Sequence, residues 1–313
     1  MPMKRWAPWL LTSSLVATPS LAQEPDVPRF QVGVDTVSLS ITLLDDDGRL
    51  VTGLPETNFT VYEDGVEQGI QFFAHGELPL KMVILLDVST SMRQKLEMAQ
   101  EAAVGFVDSL TPGDEVQVVE FGSRVLTLVE FTADFSEAAT AIRSTTVEGA
   151  TALYNAIYIS LKDLEAHRSG YLDRRAIVVL SDGNDTKSVL QFEDVKEQAR
   201  KSNIIIYAIS LRANEADLKK EKYRNAKFEL DMLAEASGGV SYAPEKLKDL
   251  SGVYADILDE LKGQYTIGYV STNTERDGKW RHLQVLTAER GTSIRSREGY
   301  YAPRKPRLRR RPR

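Results

Sequence analysis

The sequence predicts an α/β protein: a doubly wound, mainly parallel sheet with helices on both faces, inserted between β-rich flanks. Three observations carry that expectation. Apolar runs such as Met82-Val83-Ile84-Leu85-Leu86 and Ala176-Ile177-Val178-Val179-Leu180 lack polar alternation, as strands buried on both faces of a parallel sheet do. Segments with helical spacing separate these runs. Outside residues 79–262 the texture changes to period two, the pattern of half-buried antiparallel strands.

Along the chain, residues 93–110 carry apolar positions at Leu96, Ala99, Ala103, Phe106, Val107 and Leu110, and Thr111-Pro112-Gly113-Asp114 ends that helix. Residues 115–121 and 125–131 alternate and are joined by Gly122-Ser123-Arg124 alone. Three residues suit a hairpin and cannot hold a crossover, so one of these strands runs antiparallel at an edge. Helices follow near residues 136–143 and 152–166, then the strand at Ala176. A helix over 192–201, a strand over 204–209, a helix over 228–236 and a short strand over 240–242 come next. A last helix spans 247–261. In the flanks, Val32-Val34, Val37-Leu39-Ile41-Leu43, Phe59-Val61 and Ile70-Phe72 alternate before the α/β region. Tyr265-Ile267-Tyr269 and His282-Gln284-Leu286 do so after it. Turns are marked by Asp46-Asp47-Gly48, Glu63-Asp64-Gly65 and Arg276-Asp277-Gly278. Each flank is small for a core of its own. Together they are expected to form one β-sandwich, with two independent β extensions as the alternative.

The 313 residues are 42% apolar and 27% charged, a balance that excludes disorder for the chain as a whole. With no cysteine, disulfides, thiolate metal sites, thiol nucleophiles and a lipid-bearing cysteine are excluded. Lys4 and Arg5 precede a short apolar stretch and Ser20-Leu21-Ala22, the pattern of a secretory signal peptide over residues 1–22. The stretch is too short for a spanning helix, so the protein is expected to be exported, to the periplasm or the cell surface. Residues 304–313 hold seven basic side chains and no acid; without them and the signal, 30 basic residues face 45 acidic ones, about −15 for the folded body. Such a body repels nucleic acid, whereas the basic tail suits an anionic membrane or polyanion. The segments are thus read as signal peptide 1–22, β segments 23–78 and 263–303 around the α/β domain 79–262, and tail 304–313.

Five oxygen-bearing side chains then stand out: Asp87, Ser89 and Ser91 where the first apolar run stops, Thr151 at a helix start, and Asp182 after the second run. In open parallel sheets, ligands collect beyond the carboxyl ends of the strands. Two carboxylates with three hydroxyls form a hard, oxygen-only set suited to Mg²⁺ or Mn²⁺. Neutral hydroxyls fill coordination positions without cancelling the ion's charge. Such a site can therefore accept a Glu or Asp carboxylate from another protein.

Asp87-x-Ser89-x-Ser91, Thr151 after a glycine-containing loop, and Asp182 in Leu180-Ser181-Asp182-Gly183 resemble the von Willebrand factor type A domain and its metal-ion-dependent adhesion site. All five positions occur in the family's order, within residues 79–262. The resemblance implies that Ser89, Ser91 and often Thr151 ligate directly, that Asp87 and Asp182 act partly through water, and that the helix over 247–261 can shift on binding. The flanks, with Asn58-Phe59-Thr60-Val61-Tyr62-Glu63-Asp64-Gly65 and Arg297-x-Gly299-Tyr300, also resemble exported bacterial proteins that carry this domain. The function implied is metal-dependent protein binding without catalysis. The alternative is a metal-dependent hydrolase of phosphate esters. Against it, no glycine-rich nucleotide loop is present, His75, His167 and His282 fall in unrelated contexts, and no base accompanies Ser89 or Ser91.

Overall fold

The apolar run Met82–Leu86 becomes a central strand of the largest sheet. The computed structural model describes residues 36–76, 78–168, 174–182, 185–211 and 221–304. The signal-like stretch, Val32-Val34 and residues 305–313 of the basic tail lie outside them. Strand β5 (Leu80–Asp87) runs parallel to both neighbours, β6 (Glu115–Phe121) and β8 (Arg174–Ser181). With β7 (Val125–Thr132), β9 (Ile205–Ser210) and β10 (Ser241–Tyr242), the sheet order is β10-β9-β8-β5-β6-β7. As the three-residue link requires, β7 is antiparallel and at the edge.

Strand pleating sends alternate side chains of β5 to opposite faces. Met82, Ile84 and Leu86 join a core with α1 (Leu96–Val107), α2 (Phe135–Ser144) and α6 (Leu250–Gly263). Val83 and Leu85 join the other, with α3 (Leu153–Ala166), α4 (Phe192–Lys201) and α5 (Glu221–Ser237). Helix α5 begins well before the expected residue 228. Its first turns lack apolar periodicity, and strong helix formers with a Lys227–Asp231 pair carry them instead. At the last helix, Leu247–Asp249 form a 3-10 turn and the α-helix proper starts at Leu250.

The two flanks are woven into each other. Strand β1 (Thr36–Asp45) pairs with β11 (Tyr265–Val270) and β13 (Thr292–Arg295), and β11 pairs with β4 (Ile70–His75). In the facing sheet β2 (Phe59–Glu63) lies between β3 (Val66–Gln68) and β12 (Trp280–Thr287), with β14 (Gly299–Tyr301) beyond β12. Val37, Leu39, Ile41, Phe59 and Val61 share one core with Tyr265, Ile267, Tyr269, Leu283 and Val285. The flanks are therefore not independent extensions. Asp64 and Gly65 both adopt positive φ, 48° and 81°, as a two-residue turn of type I′ between β2 and β3 demands.

Entry to and exit from the α/β part lie together. His75 faces Tyr265 across the β4–β11 ladder, and the Gly76 N–H donates to the Gln264 carbonyl at 3.4 Å. Arg174, the first residue of β8, donates through Nε to the Leu78 carbonyl at 2.7 Å and through a terminal nitrogen to the Leu261 carbonyl. One guanidinium thus spans both junctions, and its burial lowers its pKa.

Candidate metal centre

Strands β5 and β8 are neighbours in register, so their carboxyl ends bring Asp87 and Asp182 to one place. Both carboxylates are buried, Asp87 to 1% exposure. Asp87 Oδ1 accepts from the Ser89 N–H at 2.8 Å, and Oδ2 accepts from Ser181 Oγ at 2.5 Å. Burial pushes the Asp87 carboxyl up from 3.8 to about 6, against the lowering effect of the Ser181 and Ser89 hydrogen bonds; Asp182 adds a smaller upward push. Ser89 has extended backbone (φ −61°, ψ 162°) and opens a 3-10 turn over Thr90–Met92. That turn brings Ser89 Oγ and Ser91 Oγ to 3.0 Å from each other. Ser89 is buried, whereas Ser91 is exposed.

Thr151 reaches the same region because its loop is tied to the other two. The Glu148 N–H donates to the Val88 carbonyl at 2.6 Å, and the Thr90 N–H donates to the Gly149 carbonyl at 3.0 Å. On the far side the Thr151 carbonyl accepts from Thr186 N–H at 2.9 Å and Lys187 N–H at 3.0 Å, and its own N–H donates to Thr186 Oγ1 at 3.0 Å. Gly122, in the turn between β6 and β7, permits this convergence. A Cβ there would stand 2.4 Å from the Glu148 carbonyl oxygen.

Three contributors escaped sequence reasoning. Ser181 holds the second oxygen of Asp87, although only its neighbour Asp182 attracts notice in the motif. Thr186 anchors the Thr151 backbone. Lys95 places Nζ 3.6 Å from Asp182 Oδ2 and donates to the Leu211 carbonyl at 3.2 Å. Its burial was legible: Lys95 falls three after Met92 and four before Ala99, on the apolar side of the helical pattern. Asp185 accepts from Tyr154 N–H and Ser188 Oγ and so organises the loop. Asn184 lies outside the described residues.

The residues present fit a hard cation. Among the described residues no three of His, Cys, Asp and Glu gather as a metal-binding group, so any ion here depends on hydroxyl oxygens beside the two carboxylates. Oxygen-only donors suit Mg²⁺ or Mn²⁺. A buried carboxyl whose ionisation is disfavoured by desolvation also gains from a nearby positive charge. Lys95 already places one positive charge beside Asp182.

Comparisons with known proteins agree with this architecture. The chain is 26% identical over 232 residues to a UPF0353 protein of Mycolicibacterium paratuberculosis, covering 68% of each. It is 28% identical over 200 residues to an uncharacterised protein of Borreliella burgdorferi, covering 59% of this chain and 56% of the relative. Among solved structures it is similar to a von Willebrand factor type A protein from Catenulispora acidiphila, with TM-score 0.50 and 13% identity over 88% of this chain and 75% of that one. That is a likeness of fold alone. Residues 82–184 match the family model described as the von Willebrand factor type A domain.

Proposed function

We propose, from the premise that this chain contains a von Willebrand factor type A domain, that it is a protein-binding module built around one divalent cation. Ser89, Ser91 and Thr151 would hold Mg²⁺ or Mn²⁺ directly, with Asp87 and Asp182 acting partly through water. When bound, the ion supplies an electrophilic position for a Glu or Asp carboxylate of a partner protein. The chain's own residues do the rest. Ser181 and the Ser89 N–H orient Asp87, Lys95 offsets the charge of Asp182, and the exposed Ser91 marks the rim a partner approaches. The observation that carries the reading is two buried carboxylates beside neutral hydroxyls, with the Ser89 hydroxyl next to another hydroxyl rather than a base. We place the protein outside the cytoplasm, in the periplasm or at the cell surface, on the signal-like N-terminus.

The test is capture from envelope fractions by the immobilised chain, in Mg²⁺ and in EDTA. A partner is expected that is retained in Mg²⁺ and released by EDTA, and that the Ser89→Ala variant fails to hold. Partners indifferent to both treatments would argue against metal-mediated recognition.

Gly122 offers a second check that spares every ligand. Gly122→Ala is expected to displace the Glu148 carbonyl and with it the Thr151 loop, costing about 1–3 kcal/mol of stability and roughly tenfold in Mg²⁺ affinity. Thermal melts and calorimetry read both. Parent-like affinity would mean that Thr151 contributes nothing to the ion.

A further inference from the structure

At the opposite end of the parallel strands, between the α/β part and the sandwich, lies a cavity of about 680 Å³. That falls within the range of roughly 300–1,000 Å³ typical of small-molecule sites. Its charge is unlike that of the rest of the body. Among the described residues, Arg168, Arg175, Lys201, Arg276 and Arg297 line it, with two carboxylates, Glu165 and Glu275. Glu165 is already engaged by Lys162 at 2.9 Å and Gln198 at 2.8 Å. Lys201, at the rim, pairs with Glu197 at 3.1 Å.

Two of the cations form the floor. Arg175 and Arg297 are both buried, at 5% and 9% exposure. Arg297 donates through one terminal nitrogen to the Ser38 carbonyl at 2.7 Å and stands 5.7 Å from the Tyr300 ring centroid. Among the described residues it has no carboxylate partner, and its buried Nε–H has no acceptor. Burial pulls its pKa down to about 10, with Arg175 and Arg168 adding smaller lowering effects that Tyr269 and Tyr300 oppose. Beside it, the buried hydroxyls Ser38 Oγ and Thr36 Oγ1 also lack partners. All three unpartnered atoms can donate. A buried donor without an acceptor costs free energy that an occupant rich in acceptors would recover.

The geometry points to a second binding site, in which Arg297, Arg175 and the Ser38 hydroxyl hold a small, multiply charged oxyanion bearing phosphoryl or carboxylate groups. Planar guanidinium forks match the paired oxygens of both groups. Arg168, Lys201 and Arg276 at the rim draw the anion in against the acidic field of the body. The site also gives a role to Arg297 and Tyr300 of the C-terminal Arg-x-Gly-Tyr motif. It does not rest on the metal reading: Arg175 is the second residue of β8 and Asp182 follows that strand, so seven residue steps at about 3.3 Å each separate the two places.

The experiment titrates the full chain with inorganic phosphate, pyrophosphate and citrate at constant ionic strength, followed by calorimetry. Saturable binding of at least one probe is expected. Preference between citrate and the phosphates identifies the headgroup. Affinity should fall tenfold or more in Arg297→Gln and measurably in Ser38→Ala, which removes a single hydroxyl and preserves the fold if the arginine variant does not. Asp87→Ala should bind the anion as the parent does. The inference is overturned if no probe saturates, if Arg297→Gln folds and binds like the parent, if Ser38→Ala alone can be tested and shows no loss, or if Asp87→Ala loses the anion equally.

Discussion

Asp87→Ala is expected to lower Mg²⁺ affinity by about 100-fold or more, beyond the roughly 10–100-fold typical of residues that only support a metal ligand. The side chain acts twice in the proposed site: as an acidic contributor to the ion and as the acceptor that fixes the Ser89 backbone and the Ser181 hydroxyl. Calorimetric titration of the metal-free variant measures the loss; affinity equal to the parent's would remove Asp87 from the assignment. The same carboxyl makes the effect pH-dependent. Because burial raises it from 3.8 to about 6, the metal-free fold binds this proton more tightly than the unfolded chain does. Its contribution favours the fold below about pH 4 and is lost as pH rises through about 6, on the order of 3 kcal/mol. A cation stabilises the ionised form and reverses that loss. Saturating Mg²⁺ should therefore raise Tm more at about pH 7.5 than at about pH 5. Equal gains at the two values would contradict the role given to Asp87.

A chain ending at Lys262 is expected to lose the fold of residues 36–75 altogether. Strand β1 would keep neither β11 nor β13, and β2 would keep β3 alone. The shared core would lose Tyr265, Ile267, Tyr269, Leu283 and Val285. Truncating one large buried side chain costs about 2–5 kcal/mol, so losing five, about 10–25 kcal/mol, is as large as or larger than the roughly 5–15 kcal/mol of net stability of a domain. Hydrogen exchange reads the result by segment, with protection surviving in the two cores around β5 and vanishing in residues 36–75. Leu39→Ala, wholly buried between the sheets, should weaken the intact sandwich by about 3 kcal/mol. Protected N-terminal strands in the shortened chain would refute the common core.

Much of this was legible because burial on two faces and burial on one leave different periods in a sequence. Met82 to Leu86 had no polar alternation and became the central strand; Val37, Leu39 and Ile41 alternated and became one face of a sandwich. The three-residue link at Gly122 foretold the antiparallel edge. The start of α5 was hidden because residues 221–227 carry no apolar period for the pattern to show. Ser181 and Lys95 were hidden for another reason. Each acts on a carboxylate brought near by folding, and nothing in its immediate neighbours announces that partner. Ser181 lies on β8 while Asp87 lies on β5, and register alone unites them.

The interleaving of the flanks also imposes an order in time. As the chain is synthesised, Leu39 must wait for Ile267, and Val61 for Val285, before either strand has its neighbour. Pairings so distant in sequence form slowly, and apolar strands left waiting expose unpaired edges that invite aggregation. The α/β part can close first, because β5, α1 and β6 are nearer neighbours along the chain. Once it has closed, Arg174 can grip the Leu78 and Leu261 carbonyls together, delivering β4 and β11 side by side. The inserted part then works as a jig that sets the ends of the sandwich in register. A synthesis halted before Tyr265 leaves half a sandwich with nothing to close upon.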